Sequence, residues 1–556
     1  KIDGVYWAAA TSNEWSPLFP IFKSKDMQNW ELVNYVFPGG APEWALNNFW
    51  APELSYDEKQ KKVYLYYTAR VKSSNRLACA VAVADSPMGE FTDLGPLVAQ
   101  EPGSIDAFEM RDENGKLYLL WKEDGNSMGL PTHMWAQQMT EDRTRLTGEM
   151  HSLFYNDTPW EEGLVEGICV TKKNGYFYAL YSAASCCDKR CNYKTGVARS
   201  KTLLGKWEKY EKNPVITGED VPAGGSKVDF RDPKIWKDED GFYYAVVANM
   251  TDDGNSRILL FKSADAFQWQ YVCVLDHSDE KLGKMWECPD FYEVDGKHVL
   301  VVSPMAMMPE GLKFHVGHSV IYLTGTYDKK THQFIREDVQ PLDSGIDFYA
   351  PQSMQTPDGR RVMIAWMQAW PNSKFVPDGV KYFGQMTLPR EINYCNGKLI
   401  QQPVREIENY RGEYVHYENV EISDETVLNG VDGRVLDMTV KLKVTDAFKK
   451  FTIKLAADET YDSTITYDPV REVLSLDRSR SGYMYDILHT RDIQVKPAGG
   501  EVRLRILMDK FSVEIFINDG SQTATMVLFT PQEADNISFA ADGKAQISVE
   551  KYTLTF

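Results

Sequence analysis

The sequence predicts an all-β protein in which a β-propeller is followed by a β-sandwich. A hairpin pattern recurs along most of the chain, the apolar residues lack helical periodicity, and the pattern changes near residue 413. Residues 228–244, VDFRDPKIWKDEDGFYY, show the pattern most clearly. Asp232 lies in a short apolar run, Gly241 of an Asp-Gly turn follows nine positions later, and a run of aromatic and β-branched residues comes next. An Asp-Gly turn between two such runs indicates a β-hairpin.

The same nine-residue offset between an acid and a turn glycine appears in three more places, and two looser copies surround Glu53 and Asp347. The three close copies are Asp106 with Gly115, Glu166 with Gly175, and Glu287 with Gly296. A strand-rich repeat of 53 to 66 residues is typical of propeller blades, each of about four antiparallel strands with the first lining a central channel. We therefore expect the acids to gather at the channel mouth. The alternative is that they are ordinary surface residues near turns.

The repeats divide the chain into units and leave the first one incomplete. Residues 1–38 read as three strands, and complete units follow at the ranges 48–99, 103–155, 163–216, 228–276, 284–337 and 345–402. Counting back from Gly4 puts the first acid five positions before Lys1, so we expect that strand and its carboxylate to be missing from the given sequence. Residues 403–412 read as a linker, and the short alternating strands of 413–556 indicate a β-sandwich.

Composition narrows the classes of function. The chain has 556 residues, 43% hydrophobic content and a net charge of −19, which makes nucleic acids and anionic membranes poor partners. No apolar run reaches the length of a membrane span, and we expect no signal peptide within the sequence as given. Cys186, Cys187 and Cys191 lack a nearby fourth ligand for zinc, so a local disulfide or free thiols are the favoured interpretation and no metal is expected. No organic cofactor is implied.

Two families of glycoside hydrolases resemble different parts of the chain. Residues 1–215 resemble family 43, the arabinofuranosidases and xylosidases, through NFWAPELSY, GSIDAF and LVEGICV. From about residue 224 the chain resembles family 32, the invertases, inulinases and levanases, through DFRDPKIW, MWECPDF, GIDFYAPQSM, TLPREI and SVEIFINDG. The resemblance implies a family 43-like part at 1–215, a family 32-like part at 216–402, and the appended sandwich of family 32. Both families have five-bladed propellers, whereas seven units can be counted here, so the chain is a mosaic, a spliced tandem or a protein with pieces absent.

The resemblances imply roles for four carboxylates. In family 32 terms Glu287 would be the general acid/base, and Asp232 would stabilise the transition state and hold ring hydroxyls beside Arg231. In family 43 terms Glu166 would be the general acid, with Asp106 tuning its pKa. Neither scheme finds its first-blade carboxylate in the sequence. The chain numbered from Lys1 is therefore expected to bind sugar but to be severely impaired in hydrolysis, which needs two carboxyl groups.

Aromatic side chains near the acids could form a sugar-binding platform, because flat sugar faces pack on aromatic rings. Core packing is the alternative for each. The candidates for contact with substrate are Trp50, Phe108, Phe230, Trp286 and Phe348, together with the remaining acid Asp347.

The favoured function is a β-fructosidase acting on sucrose or fructan. The alternatives are an arabinofuranosidase or xylosidase that uses the N-terminal half, and a non-catalytic glycan-binding propeller. The expected partner is an oligo- or polysaccharide, and the expected location is extracellular or periplasmic. The linkage, exo or endo action and the oligomeric state stay open.

Overall fold

The computed structural model describes residues 1–2, 4–13, 16–25, 30–185, 193–211, 215–279, 281–368, 385–482 and 487–555. The chain divides into two compact parts, which we call unit 1 (Lys1–Thr217) and unit 2 (Gly218–Phe556). The predicted cysteine cluster at residues 186, 187 and 191 lies outside the described residues.

Unit 1 consists of antiparallel up-and-down sheets. A three-stranded sheet comes first, β1 (Tyr6–Ala9), β2 (Leu18–Ser24) and β3 (Glu31–Phe37). The next sheet has four strands, β4 (Trp50–Asp57), β5 (Lys62–Arg70), β6 (Leu77–Ala84) and β7 (Thr92–Val98). It is followed by β8 (Ser104–Arg111), β9 (Leu117–Glu123), β10 (His133–Met139) and β11 (Leu146–Tyr155). The last sheet is β12 (Val165–Lys173), β13 (Tyr176–Ala183), β14 (Lys194–Ser200) and β15 (Glu208–Lys209).

Unit 2 begins with three more sheets of the same kind. The first is β16 (Gly225–Lys237), β17 (Tyr243–Thr251), β18 (Ser256–Ser263) and β19 (Trp269–His277). The second is β20 (Trp286–Val294), β21 (Lys297–Pro304), β22 (Ile321–Asp328) and β23 (Gln333–Pro341). The third is β24 (Tyr349–Gln355), β25 (Arg361–Trp366), β26 (Arg390–Cys395) and β27 (Lys398–Pro403).

The rest of unit 2 is a sandwich of two antiparallel sheets. Its six-stranded sheet contains β28 (Arg411–Ile422), β38 (Ala545–Leu554), β29 (Leu436–Lys443), β34 (Glu501–Asp509), β35 (Ser512–Ile517) and β36 (Gln522–Val527). Its five-stranded sheet contains β33 (Thr490–Gln494), β32 (Val473–Asp477), β31 (Ser463–Asp468), β30 (Phe448–Ala457) and β37 (Asn536–Gly543). The described residues also form short 3₁₀ helices at Gly125–Met128, Pro159–Glu161, Gly218–Asp220 and Arg405–Tyr410. None of the described helices is long and apolar enough to cross a membrane.

The strands of the sandwich and those of the blade-like sheets differ in their pattern of burial. In the sandwich, alternate residues of β29 such as Met438 and Val440 are fully buried, as expected of a sheet with one covered face. Several second and third strands of the blade-like sheets, among them β5, β6, β9, β17 and β18, are instead nearly continuous buried runs, and seven consecutive residues of β5 are buried. Such runs are typical of strands that pack on both faces. The all-β fold class, with propeller blades followed by a sandwich, is therefore confirmed.

Candidate active site

The first strand of every four-stranded sheet contains a β-bulge with one residue in the left-handed region. The bulges interrupt the pairing with the second strand at a matching place in each sheet. The left-handed residues and their φ angles are Ala51 (43°), Asp106 (57°), Gly167 (63°), Asp232 (59°), Cys288 (51°) and Ala350 (50°). A bulge redirects the side chains beside it. The repeat seen in the sequence as an acid–glycine offset is thus a repeated bulge.

In unit 2 the bulges of β16 and β20 join Asp232 to the next sheet. The Asp232 Oδ2 atom accepts a hydrogen bond from the backbone N–H of Cys288 at 2.9 Å. The Cys288 thiol lies 3.7 Å from the same oxygen. Burial, together with the charges of Asp232 and Glu287, raises the pKa of the Cys288 thiol, so it stays neutral and can act as a second donor. Asp232 is therefore fixed in orientation beside the strand that carries Glu287.

Glu287 lies between two donors from neighbouring sheets. Its Oε1 atom accepts a hydrogen bond from Arg231 Nη1 at 3.2 Å, and its Oε2 atom lies 2.9 Å from the Tyr349 hydroxyl. Arg231, Glu287 and Tyr349 each occupy the position just before the left-handed residue of consecutive sheets. The side chain of Glu287 is 12% exposed, so the carboxyl group is largely buried yet reachable.

Arg231 connects this pair to a further carboxylate. Its Nη2 atom donates a hydrogen bond to Asp229 Oδ1 at 2.6 Å, and 37% of the Asp229 side chain is exposed. Sequence reasoning missed Asp229 because it does not keep the nine-residue offset. The only signal in the sequence is its position two residues before Arg231, on the same side of an extended strand.

Unit 1 repeats the same backbone arrangement with other side chains. The Asp106 Oδ2 atom accepts a hydrogen bond from the backbone N–H of Gly167 at 2.9 Å, the counterpart of the bond between Asp232 and the next sheet. Glu166 accepts hydrogen bonds from Lys122 Nζ at 2.9 Å and from the Tyr193 hydroxyl at 2.7 Å. Unit 1 therefore also holds an aspartate and a glutamate on adjacent first strands.

Electrostatics distinguishes the members of the unit 1 pair. Burial, reinforced by the charge of Glu166, raises the pKa of Asp106 to about 6. Lys122 is 1% exposed and forms ion pairs with Glu166 and with Asp124. Its pKa is raised, because these carboxylates stabilise the ammonium group more than burial disfavours it. The buried lysine is therefore committed to the carboxylates and does not reach solvent.

Two predicted substrate contacts are wrong. Trp286 is fully buried, and its indole N–H donates to the Leu282 carbonyl at 2.8 Å, so its ring faces the core. Asp347 is 1% exposed and forms an ion pair with Arg478, while it also accepts a hydrogen bond from the backbone N–H of Val527 at 2.8 Å. Asp347 lies three residues before the bulge of β24, not at it, and therefore anchors the last blade to the sandwich.

The other aromatic candidates have different surroundings. Phe108 packs against the apolar core shared by the last two sheets of unit 1, and Phe348 is buried. Phe230 is half-buried and lies against the buried ring of Phe261, with 6.1 Å between ring centroids. Trp50 is half-buried at the position just before the left-handed residue of β4, and its indole N–H donates a hydrogen bond to Asn13 Oδ1 at 2.8 Å.

Several residues of both sites were not predicted from the sequence. Tyr349, Lys122 and Tyr193 contact the catalytic candidates across sheets or from a loop. Tyr349 could have been found by aligning the bulges, since it follows Asp347 by two residues. The contact between Lys122 and Glu166 spans 44 positions, and no local pattern marks it.

Comparison with known proteins identifies the family. The "Glycosyl hydrolases family 32 N-terminal domain" matches residues 110–403, and the "Glycosyl hydrolases family 32 C terminal" matches residues 406–555. The first match begins inside the stretch whose motifs resemble family 43, and that second resemblance stays a prediction.

Relatives and solved structures agree with this match. A sucrose-6-phosphate hydrolase of Escherichia coli is 30% identical over 420 residues, which cover 75% of this chain and 84% of that protein. A levanase of Bacillus subtilis is 31% identical, covering 68% of this chain and 56% of that protein. A GH32 β-fructofuranosidase of Bombyx mori is similar in structure, with a TM-score of 0.55 at 26% identity, over 81% of this chain and 91% of that chain. On the strength of the two family matches, this chain belongs to glycoside hydrolase family 32.

Proposed function

We propose that unit 2 hydrolyses the fructofuranosidic bond of sucrose or of a fructan. The observation that carries the proposal is the position of Glu287, whose carboxyl group is hydrogen-bonded between Arg231 and Tyr349 while Asp232 is fixed on the adjacent strand. Relatives named sucrose-6-phosphate hydrolase, raffinose invertase and levanase support this substrate class.

Glu287 is the proton donor in this proposal. The Tyr349 hydroxyl lies 2.9 Å from Glu287 Oε2 and 3.0 Å from the carbonyl oxygen of Ser303, so it holds the Glu287 carboxyl group in one orientation. In this proposal Glu287 passes its proton to the leaving oxygen of the scissile bond.

Asp232 and Arg231 hold the sugar ring. The carboxylate and the guanidinium are both half-buried and next to the acid, which suits hydrogen bonds to adjacent ring hydroxyls. Hydrolysis also needs a second carboxyl group as nucleophile or base. Asp229 is an accessible carboxylate that the structure links to Glu287 through Arg231, and it replaces Asp347 as the residue to substitute first.

Release of fructose tests the proposal. Wild-type protein, Glu287→Gln and Asp229→Asn are compared on sucrose, inulin and levan, with Glu166→Gln as the matched control in unit 1. We expect Glu287→Gln to abolish most of the fructose release and the control to retain it. Equal loss in Glu287→Gln and Glu166→Gln, with both proteins folded, would reject unit 2 as the site.

Unit 1 supports a second candidate, an arabinofuranosidase or xylosidase that uses Asp106 and Glu166. The favouring observation is the hydrogen bond from Gly167 N–H to Asp106, which reproduces the arrangement of unit 2. Nitrophenyl arabinofuranoside and xyloside test it, since turnover abolished by Glu166→Gln and not by Glu287→Gln would assign this activity to unit 1. Binding of fructan or xylan without any turnover would instead favour the non-catalytic glycan-binding propeller.

A further inference from the structure

A groove of about 740 Å³ runs in unit 2 between the sheets β20–β27 and the sandwich. Its walls carry the lysines Lys313, Lys398 and Lys496, with Glu310 as the acidic member. Side-chain amides and hydroxyls complete the polar lining, among them Gln340, Gln522 and Ser521. The groove is therefore basic, although the whole chain has a net charge of −19.

The three lysines have no carboxylate partner in the part of the chain that the structure describes. Among the residues that the structure describes, Lys313, Lys398 and Lys496 form no ion pair, whereas many other lysines of the chain do. All three are exposed. Three like charges in one groove repel each other unless an anion is present.

The groove is continuous with a small inner cavity. Lys313, Pro341 and Ser344 line both spaces, and the cavity continues to His315, His318 and Arg491. The Nε atom of Arg491 and the Nε2 atoms of both histidines are buried and have no hydrogen-bond partner. The inner cavity has a volume of only about 10 Å³ and is also lined by Asp343. Its one unsatisfied atom that must be a donor, within the described residues, is Arg491 Nε.

Arg491 stands out within this cavity. Its buried Nε–H has no hydrogen-bond partner and its side chain forms no ion pair with a described residue, whereas the nearby buried Arg390 and Arg478 are both paired. The carboxylates of Asp343 and Asp347 still act on its charge from a greater distance. Burial lowers the pKa of Arg491 to about 10, yet the guanidinium stays charged at neutral pH. A buried N–H of a charged group is unfavourable unless water or a ligand supplies its acceptor.

We propose that this groove is a binding site for a phosphate-bearing ligand, with the anion held at the mouth of the inner cavity between Lys313 and Arg491 and the groove amides holding a polyhydroxyl body. Guanidinium groups bind phosphate through paired hydrogen bonds, and lysines add charge without a fixed geometry. Amide side chains suit sugar hydroxyls, so the chemical class is a phosphorylated sugar or, more simply, free phosphate. The site is distinct from Glu287, although His318 packs edge-on against Tyr349, with 5.6 Å between ring centroids.

Calorimetric titration of the full chain tests the proposal. The ligands are fructose 6-phosphate, inorganic phosphate and uncharged fructose, at low and at moderate ionic strength. We expect at least one of the two phosphates to bind 10-fold or more tightly than fructose, and the affinity to fall as salt is added. Tighter binding of fructose 6-phosphate would identify a sugar phosphate as the ligand, and equal binding would identify the free anion.

Variants locate the binding site independently of hydrolysis. We expect Arg491→Gln to weaken phosphate binding at least 10-fold and Lys313→Gln to weaken it several-fold. Lys449→Gln, an exposed lysine of β30 outside the groove, is the matched control and should bind as wild type. Lys313→Gln changes only an exposed residue, so it also tests the site if Arg491→Gln fails to fold. Absence of phosphate binding to the wild-type protein, or binding that survives both groove substitutions, would overturn the proposal, whatever the outcome for fructosidase activity.

Discussion

The two pairs of aspartate and glutamate in this protein have the same backbone geometry but differ in the cation that contacts the glutamate. In each unit the aspartate at one bulge accepts the N–H of the left-handed residue in the next sheet, at 2.9 Å in both cases. The glutamate precedes that residue in both units and pairs across its strand with a serine, Ser182 or Ser303. The geometry of the carboxylates is thus a property of the repeated bulge.

Each cation belongs to the same cross-strand pair between the first and second strands of its sheet, but the lysine lies on the second strand and the arginine on the first. In unit 1 the pair is Ile105 with Lys122, and in unit 2 it is Arg231 with Ala248. The lysine is 1% exposed, whereas the arginine is 23% exposed and keeps a second bond to Asp229. A buried lysine can only neutralise carboxylates, while a half-exposed arginine can also contact a ligand. The comparison therefore favours unit 2 as the fructosidase site.

The largest expected effect separates the two glutamates. Glu287→Gln should lower kcat/KM on sucrose or inulin by about 10²–10⁴, because it removes the proton donor. Glu166→Gln should leave this activity within a factor of about two, because its surroundings belong to unit 1. Steady-state kinetics on both substrates checks this. A larger loss of activity in Glu166→Gln than in Glu287→Gln would assign the fructosidase function to unit 1.

Substitution of Lys122 should lower stability, whereas substitution of Arg231 should lower activity. Lys122→Met should lower the free energy of unfolding by about 3 kcal/mol, because it leaves Glu166 and Asp124 without their buried partner. Arg231→Met should instead reduce activity by more than about tenfold with little loss of stability, since Arg231 is half-exposed. Urea unfolding and sucrose kinetics measured on both variants test the distinction, and it breaks down if Lys122→Met impairs activity in a fully stable protein.

Asp347 should behave as a structural residue. Asp347→Asn leaves the buried guanidinium of Arg478 without its carboxylate, so we expect a loss of about 3 kcal/mol in stability. The folded variant should keep wild-type kcat on sucrose, unlike Asp229→Asn. Thermal unfolding and kinetics of the two variants side by side check this. A stable Asp347→Asn protein with reduced kcat would restore Asp347 to the list of site residues.

The smallest expected effect concerns pH. The pKa of Asp106 is raised to about 6, so between about pH 4 and pH 6 the folded chain keeps a proton that the unfolded chain has released. This contribution to stability is present at low pH and is lost as the pH rises through 6. Asp106→Asn should therefore gain about 2–4 °C in Tm relative to wild type between pH 4 and pH 7. Calorimetric scans across this range check it, and a constant difference in Tm would contradict it.

The sequence by itself determined the fold class and most of the repeat. Turn glycines after a fixed number of strand residues predict hairpins from local geometry alone, and the units predicted at 48–99 and 103–155 contain the sheets β4–β7 and β8–β11. Alternating apolar residues after 413 likewise specify strands with one buried face. These features depend on residues that are close together in the sequence, so they can be predicted without a structure.

Only the tertiary structure decided which acids meet. Glu53 and Asp347 fit only loose copies of the sequence pattern. The direction of a side chain depends on its distance from the bulge. Asp347 lies three residues before the left-handed residue of β24, and its carboxylate forms a buried ion pair. Lys122 and Tyr349 reach the glutamates from distant sequence positions because neighbouring sheets pack together, and Tyr193 reaches Glu166 from just before β14 of the same sheet. Long-range packing, and not local pattern, determines the partners of each carboxylate and therefore its chemistry.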